Sequence, residues 1–576
     1  MPYLLAAEAD KIQEFIFRSS RLREVVGASQ LLTRFCWSVE DTLAKDYNAQ
    51  VVVNDGGSFR VIFDTREQAV AFGADLAELY RLALGGSLTV AEPVTLNGDF
   101  SEANDRAGKA LRWAKSRRQG VMAESHMPYV AFCASCGVAL AQDHTKLAKE
   151  RDDDRERYLC GDCLRKAEES ATNRADLLNE FLADVIEDSS QLSSFEFLFE
   201  PEKVGRYDPR NYVAYLVADG NGMGRLFGRL QHEDALHQFS TELSSAVRKS
   251  LAAATRKLRD QTDKLSKADV WSIPVLPESN SIGVADVDPI MLSKTDARSI
   301  PVLPLILGGD DLFALIPAPY ALDFARRFCL EWEAQMDKLV KEVGLTDVPR
   351  PTVAAAVVIC KSKYPYALAH RRAEVLLKEA KRHCKLLAAE RGEHLSAVNF
   401  EVILGNRLAG LEEEDEQVNG GVKLTLRPYW VANNGLPANA QERGVDLKQL
   451  LDQRLALKNV PNKRLAELRR RFEDLPSDMA VRNRHQELED WTTRKLARIL
   501  QRLGRSSRTH VEAALQSLGK PKDEGIGRHH WREVPGRDGG LLAHGMLDLL
   551  EAWDFAQDLG HSPDKYEPQE EEEEEK

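Results

Sequence analysis

The sequence predicts an α+β chain in which one βαββαβα unit occurs twice, each copy with an antiparallel sheet and its helices on one face. Two observations carry this. Apolar strand-like runs and helical patterns follow one another in the same order in both regions. A Gly-Gly turn lies between two apolar runs at Gly56-Gly57 and again at Gly308-Gly309. A third observation, two Cys-x2-Cys pairs, places a metal-binding insert between the copies.

Composition bounds the rest. The 576 residues are 43% hydrophobic, enough for three to four folded domains. Net charge is −13, but the run 570–575 supplies six of those negatives and reads as a disordered acidic tail. The remaining balance neither favours nor excludes a nucleic-acid partner. No apolar run reaches the length of a membrane span, and Glu8, Asp10 and Lys11 interrupt any secretory core segment. Eight cysteines in so long a chain do not suggest a disulfide framework, so a cytoplasmic protein is the default.

In the first copy, YLLAAEA (3–9) reads as a strand delivering Asp10. Ile12, Phe15, Ile16, Leu22, Val25 and Val26 have helical spacing, which resumes from Ser29 to Glu40. Residues 51–63 read strand, turn, strand; 66–84 helix; SLTVAEPVTL strand; and 101–118 a helix ending LRWAKSRR.

The insert has Cys133-x2-Cys136 and Cys160-x2-Cys163, with 23 residues between the pairs. Two such knuckles supply four thiolates to one tetrahedral zinc, structural because four cysteines leave no open position. The competing reading is four coincidental thiols. Cys36, Cys329, Cys360 and Cys384 lie in apolar or helical contexts and read as buried small side chains. A helical acidic connector covers 166–190.

In the second copy an apolar strand ends at Asp219, and the turn Gly220-Asn221-Gly222-Met223-Gly224 leads into a helix. A long helix (232–266) and a Pro- and Asp-rich loop (273–300) precede LPLILGGDDLFALIP (303–317). Leu303, Leu305, Ile306 and Leu307 read as one strand, and Leu312, Phe313, Leu315 and Ile316 as the next. The four residues between them put two adjacent carboxylates at a hairpin tip, where glycine supplies positive φ. Helix 320–343, strand 351–360, helix 364–384 and strand SAVNFEVIL follow. Both final helices end in Ala-Lys, Ala114-Lys115 and Ala380-Lys381.

The copies differ where chemistry would sit: Asp310 and Asp311 stand where the first copy has Ser58 and Phe59. Two carboxylates between apolar strands need compensation, usually from a divalent metal. With Asp219 they make three carboxylates for two divalent ions ~4 Å apart. Such ions activate a 3′-hydroxyl, bridge nucleotide phosphates and neutralise the leaving pyrophosphate. Asp219 and Asp310 are the leading ligands; Asp311 completes the site or orients the nucleophile. Backbone N–H groups from Gly220 to Gly224 at a helix start suit triphosphate oxygens, so Gly220, Asn221, Gly222, Gly224, Gly308 and Gly309 are the nucleotide contacts. Lys381, then Lys363 or Arg382, is the cation for phosphate; a solvated helix face competes for each. The first copy is a structural or half-site partner. No Gly-x-Ser-x-Gly nucleophile motif occurs.

EADKIQEFIFRSSRLREVVGAS, CASC…CGDC, ADGNGMG, LGGDDLFALIP and YPYALAHRRAEVLLKEAKR, spread over 1–405, resemble the large polymerase-like subunit of type III CRISPR effector complexes. The resemblance implies two ferredoxin-like palm domains, a zinc-bearing region between them and a helical C-terminal domain. Its boundaries here would be 1–127 (degenerate palm), 128–170 (zinc), 171–205 (helical connector), 206–406 (catalytic palm), 407–562 (mostly helical) and 563–576 (acidic tail). It implies cyclic oligoadenylate synthesis from ATP by Asp219, Asp310 and Asp311 with two magnesium or manganese ions, triggered by target RNA bound to a guide-RNA complex. Many members begin with a histidine–aspartate nuclease domain. Here the first palm starts almost at Met1 and no His-Asp dipeptide occurs, so absence of that nuclease is expected, with work in a reduced complex or alone.

Residues 440–535 are Arg- and Lys-rich with helical periodicity, and Trp491 and Trp531 are interleaved. This segment faces guide RNA, target RNA or a small helical subunit, or is a set of amphipathic helices with solvated basic faces. His529-His530-Trp531 lacks metal spacing, and 540–556 reads as a last apolar helix. The competing functions are a non-catalytic scaffold of a guide-RNA complex and a GGDEF-like synthase of a cyclic dinucleotide. Gly-Gly-Asp-Asp, the zinc region and the duplication favour the CRISPR-type reading.

Overall fold

The computed structural model describes residues 1–19, 21–117, 130–145, 157–172, 176–186, 188–266, 298–345, 348–404, 422–475, 491–519, 531–534 and 541–560. The 273–297 part of the Pro-rich loop, His529-His530 and the tail 563–576 lie outside them. Among the described residues no helix is long and apolar enough to cross a membrane.

The first half contains β1 (Tyr3–Asp10), α1 (Ile12–Phe17), α2 (Leu22–Ser38), β2 (Gln50–Asp55), β3 (Ser58–Phe63), α3 (Arg66–Leu84), β4 (Ser87–Val90) and α4 (Phe100–Arg117). Its antiparallel sheet has the order β2-β3-β1-β4, and Val94–Thr95 also pairs with β1. After the insert, with its helix α5 (Gly161–Thr172), the second half contains β5 (Tyr212–Asn221), α6 (Glu233–Ser266), β6 (Leu303–Gly308), β7 (Asp311–Pro317), α7 (Ala321–Glu342), β8 (Thr352–Lys361), α8 (Tyr366–Arg391), β9 (Ser396–Val402) and β10 (Tyr429–Val431). Its order is β6-β7-β5-β8-β9-β10. The first four positions repeat the order of the first sheet, so the duplication is topological. β8 and β9 run parallel, a departure from the all-antiparallel expectation.

The helices do not keep to one face. In β5, Tyr212, Ala214, Leu216 and Ala218 face a core shared with α6 and α7, while Val213, Tyr215 and Val217 face one shared with α8. A strand buried on both sides reads as a continuous apolar run. The first half supplies part of the second cover: Leu22, Val25, Val26 and Ala28 of α2 join the α8 core and pack toward β6. Reciprocally, α6 packs on β2 and joins the core containing Leu4, Ala6 and Val52. Each half lends a helix to a sheet face the other cannot cover alone.

Local differences have local causes. β5 runs past Asp219 because Val353 and Thr352 continue the ladder opposite Gly220 and Asn221; Gly222, at φ +72°, ends it. The helix that follows is only Met223–Phe227. The second hairpin turn is two residues, Gly309-Asp310, since Gly308 and Asp311 pair as the last rung. Ala380-Lys381 sits well inside α8, which continues to a left-handed stop at Gly392. The connector includes a short strand, Glu196–Phe197, paired with Ser299–Ile300.

The C-terminal part has helices Leu447–Ala456, Asn462–Glu473 and Arg505–Ser517 beside a three-stranded sheet. Trp491 and Trp531 are buried against Phe472, with centroid distances of 5.1 and 6.2 Å, so they are core and do not face RNA. Several arginines of this region are ion-paired, as in Arg464–Glu467, Arg469–Glu473 and Arg508–Glu512. The expected last helix is instead a strand, Leu541–Ala543, and a short helix, Met546–Glu551. The break falls at Gly545, where a Cβ would lie 2.7 Å from the Tyr429 hydroxyl.

Candidate active site

Sheet register assembles the carboxylates. Asp219 lies on the central strand β5, opposite Ala354 of β8, and its neighbour Ala218 pairs with Leu312 of β7. Asp311 begins β7 and Asp310 occupies the turn before it, so all three acids meet at one end of the sheet. Gly220 gives Asp310 its room: a Cβ there would stand 3.0 Å from Asp310 Oδ2.

The cluster is short of positive charge. Burial, then the charges of Asp219 and Asp311 and a hydrogen bond with Asp219, push the Asp310 carboxyl up to about 8. Asp311 is pushed up to about 7, first by loss of hydration and then by Asp219; Lys381 opposes the shift and Glu374 adds to it. Asp311 stands at the exposed rim, where water damps such effects most. Lys381 Nζ ion-pairs with Asp219 Oδ2, so it sits where sequence reading placed a phosphate contact but spends its charge on a carboxylate. Glu374, also on α8, is raised mainly by burial and further by Asp219. His370 stacks on Phe17 at 3.8 Å, and burial lowers it to about 4, leaving it neutral packing.

Crowded acids with raised proton affinity are the chemistry that a divalent cation relieves. The donor set fits such an ion in type and charge. Among the described residues, though, only Cys133, Cys136, Cys160 and Cys163 bring all their ligand atoms within 4.8 Å of one another. That second cluster can hold a metal, and thiolate sulfurs in a set of four suit zinc. Cys136 Sγ and Cys160 Sγ are 3.9 Å apart, and the contact with Cys136 pushes the Cys160 thiol up to about 12. Cys36, Cys329, Cys360 and Cys384 are buried, as expected.

Beside the acids opens a cleft of about 680 Å3, within the range of small-molecule sites. Gly220, Asn221 and Gly222 form one wall; Arg225, Arg229, Arg350, Lys381 and Lys385 make it cationic, and none of its described lining residues is acidic. Asn221 Nδ2 donates to Thr352 Oγ1 at 3.1 Å. Arg350 is braced by Glu333 at 3.0 Å and Asp337 at 3.3 Å. Gly224, Lys363 and Arg382 do not line the cleft. Gly308 lines instead a smaller cavity of about 130 Å3 between the halves, with Asp55, Gly56, Asp311, His370 and Glu374. The five-residue helix after Gly222 is too short for the dipole contribution the sequence suggested. Sequence reading missed Glu374, Arg225, Arg350 and Lys385. Glu374 was findable, two helical turns before Lys381 on the same face.

A six-stranded sheet with acids at a hairpin turn and the neighbouring strand, beside a cationic cleft, defines a palm-type domain. Residues 212–386, just under a third of the chain, match the family model described as Cas10/Cmr2, second palm domain. That stretch is a second palm domain of the Cas10/Cmr2 kind, and on it the chain is Cas10-like. Among solved structures, Csm1 of T.onnurineus aligns at 12% identity and TM-score 0.45, over 96% of this chain and 70% of that one. The Csm1–Csm4 cassette in complex with pppApApA aligns at 16% identity and TM-score 0.41, over 82% of this chain and 62% of that one. The apo Csm1–Csm4 cassette aligns at 16% and 0.39 over 69% of this chain, which spans 54% of that one, about half its length. No curated protein sequence matches.

Proposed function

We propose that this chain is a subunit of a type III CRISPR effector that converts ATP to cyclic oligoadenylate by nucleotidyl transfer at Asp219, Asp310 and Asp311. The observation that supports it most is the meeting of these three acids at the edge of a cationic cleft, within the stretch matched as a second palm domain. The cleft takes the nucleotide. Gly220 to Gly222 allow close approach, and Arg225, Arg350 and Lys385 face the phosphates. Two magnesium or manganese ions, when bound, supply charge neutralisation at the nucleophile and leaving group. Asp219, Asp310 and Asp311 would hold these ions, and Asp310, whose proton affinity is raised in the bare site, would do so as the carboxylate. Lys381 is released from Asp219 and turns to phosphate. The four cysteines hold a structural zinc. We propose the same domain division, 1–127, 128–170, 171–205, 206–406, 407–562 and 563–576, with target RNA on a guide complex as the trigger.

The test is incubation of the full chain with ATP and Mn2+ or Mg2+, with and without guide and target RNA, followed by mass spectrometry of products. Cyclic oligoadenylates are expected, and their loss in Asp310→Ala/Asp311→Ala. No nucleotide product under any condition, with RNA-complex binding intact in that variant, would establish a scaffold instead. A cyclic dinucleotide would establish the GGDEF-like alternative.

A further inference from the structure

The first half also ends a hairpin strand in a carboxylate. Asp55 is the last residue of β2. Its Oδ1 accepts from the N–H of Gly56, in its own turn, at 2.7 Å. Its Oδ2 accepts from the N–H of Gly309, in the other half's turn, at 2.9 Å. Ser244 of α6 completes the clasp: its hydroxyl donates to Asp55 Oδ2, and its oxygen accepts from the same Gly309 N–H at 2.9 Å. One carboxylate therefore ties turn to turn. The two turns lie within van der Waals reach of each other, since a Cβ on Gly308 would stand 4.0 Å from Gly56 Cα. Gly309 has φ +56° and is followed directly by Asp310, so holding its N–H restrains the two-residue turn that carries Asp310.

We propose that Asp55 is a positioning residue for the transfer reaction: held by Ser244, it pins the Gly309 amide and so aims Asp310 at Asp219. The proposal rests on the reading of the site given above, and it deepens it. The half that has Ser58 and Phe59 in place of the acid pair contributes to the reaction through the residue just before its turn. Asp310 is otherwise carried by a two-residue turn closed by a single rung, Gly308 with Asp311. A side chain aimed through so short a lever moves when the lever moves, and displacement of a catalytic group by about 1 Å lowers rate about a hundredfold.

The experiment compares wild-type full-length chain with Asp55→Ala, Asp55→Asn and Ser244→Ala. It reads hydrogen exchange of the peptide containing Gly309, the melting temperature, and kcat and KM for ATP. Asp55→Ala is expected to speed exchange at Gly309 and to lower kcat about a hundredfold while KM moves little. Asp55→Asn keeps an oxygen acceptor and is expected to restore exchange protection and most of kcat. Ser244→Ala should fall between them. Unchanged exchange and kcat in Asp55→Ala would overturn the proposal. So would equal loss in Asp55→Ala and Asp55→Asn accompanied by a lowered melting temperature, which marks general destabilisation. If the wild type yields no nucleotide product, the functional reading fails by itself. The clasp is then judged on exchange alone: acceleration in Asp55→Ala with protection in Asp55→Asn upholds it, and no difference overturns it.

Discussion

Asp310 and Asp311 combine elevated proton affinity with a proposed ligand role that needs them ionised, and this sets a pH dependence. In the folded chain without a cation, Asp310 titrates at about 8 and Asp311 at about 7, both above the ordinary carboxylate value. A carboxyl whose folded pKa is raised contributes most below its unfolded pKa, and the contribution is lost as pH rises through the folded pKa. The groups facing them are Asp219 on β5 and Glu374 and Lys381 on α8, and only Lys381 offsets the negative charge. Metal-free protein should therefore lose melting temperature between about pH 4 and 8, Mn2+ should restore it, and Mn2+ affinity should climb over the same window and level above about pH 8. Thermal scans and titration calorimetry across that range check this; Asp310→Asn should flatten the apo curve. A pH-independent Mn2+ affinity would contradict the charge balance described. Lys381→Met removes the cation from Asp219 and from any phosphate. A hydrogen bond to a charged group is worth about 1.5–3 kcal/mol, so kcat/KM for ATP should drop roughly ten- to a hundredfold.

At the level of elements, the hairpin and the strands beside it were legible because their signals are local. Gly-Gly between apolar runs specifies a tight turn, and an apolar run closing on Asp-Gly places Asp219 near the end of its strand, which stops two residues later. The triad Asp219, Asp310 and Asp311 and the four cysteines follow from such patterns. What covers a sheet face is not local. Periodicity shows that Leu22, Val25 and Val26 form an apolar stripe, but not that the stripe lies on the other half's sheet. The extension of β5 to Asn221 was hidden for the same reason, since it depends on partners about 130 residues away, at Thr352 and Val353. Arg350 reaches the cleft from an irregular stretch and gave no pattern to read. Two substitutions test the element packing. Gly220→Ala places a Cβ 2.6 Å from Met223 Cγ and 3.0 Å from Asp310 Oδ2, so it should remove most ATP turnover at a stability cost of about 1–3 kcal/mol, measured by denaturation. Leu22→Ala empties a place in the shared core and should destabilise by about 2–5 kcal/mol, with hydrogen-exchange protection falling in β6 as well as in α2.

Across the whole molecule, the cysteine cluster is connected to the acid cluster through α1 and α2. Glu24 of α2 is buried and accepts hydrogen bonds from Ser19 and from Ser135, which lies between the first two cysteines; Arg157, just before the second pair, pairs with it at 3.4 Å. Lys166 of α5, three residues after Cys163, is buried, donates to the carbonyl of Phe15 and lies 4.1 Å over its ring. Arg34 pairs with Glu169 at 2.6 Å. The same α2 covers the α8 face of the second sheet, and Phe17 stacks on His370, one turn of α8 before Glu374. A metal held by the four cysteines would therefore brace the first helices, and those helices brace the second sheet. Removing it should act at a distance. Treating the full chain with a zinc-selective chelator, then restoring Mg2+ in excess, should lower the melting temperature and reduce ATP turnover, and Zn2+ should restore both. Cys160→Ser/Cys163→Ser should reproduce the loss without rescue. Exchange measurements should show the insert and the 12–38 segment opening together, before the β5–β8 ladder. Full turnover in zinc-free protein, or opening of the insert with 12–38 still protected, would show that the two clusters are mechanically independent.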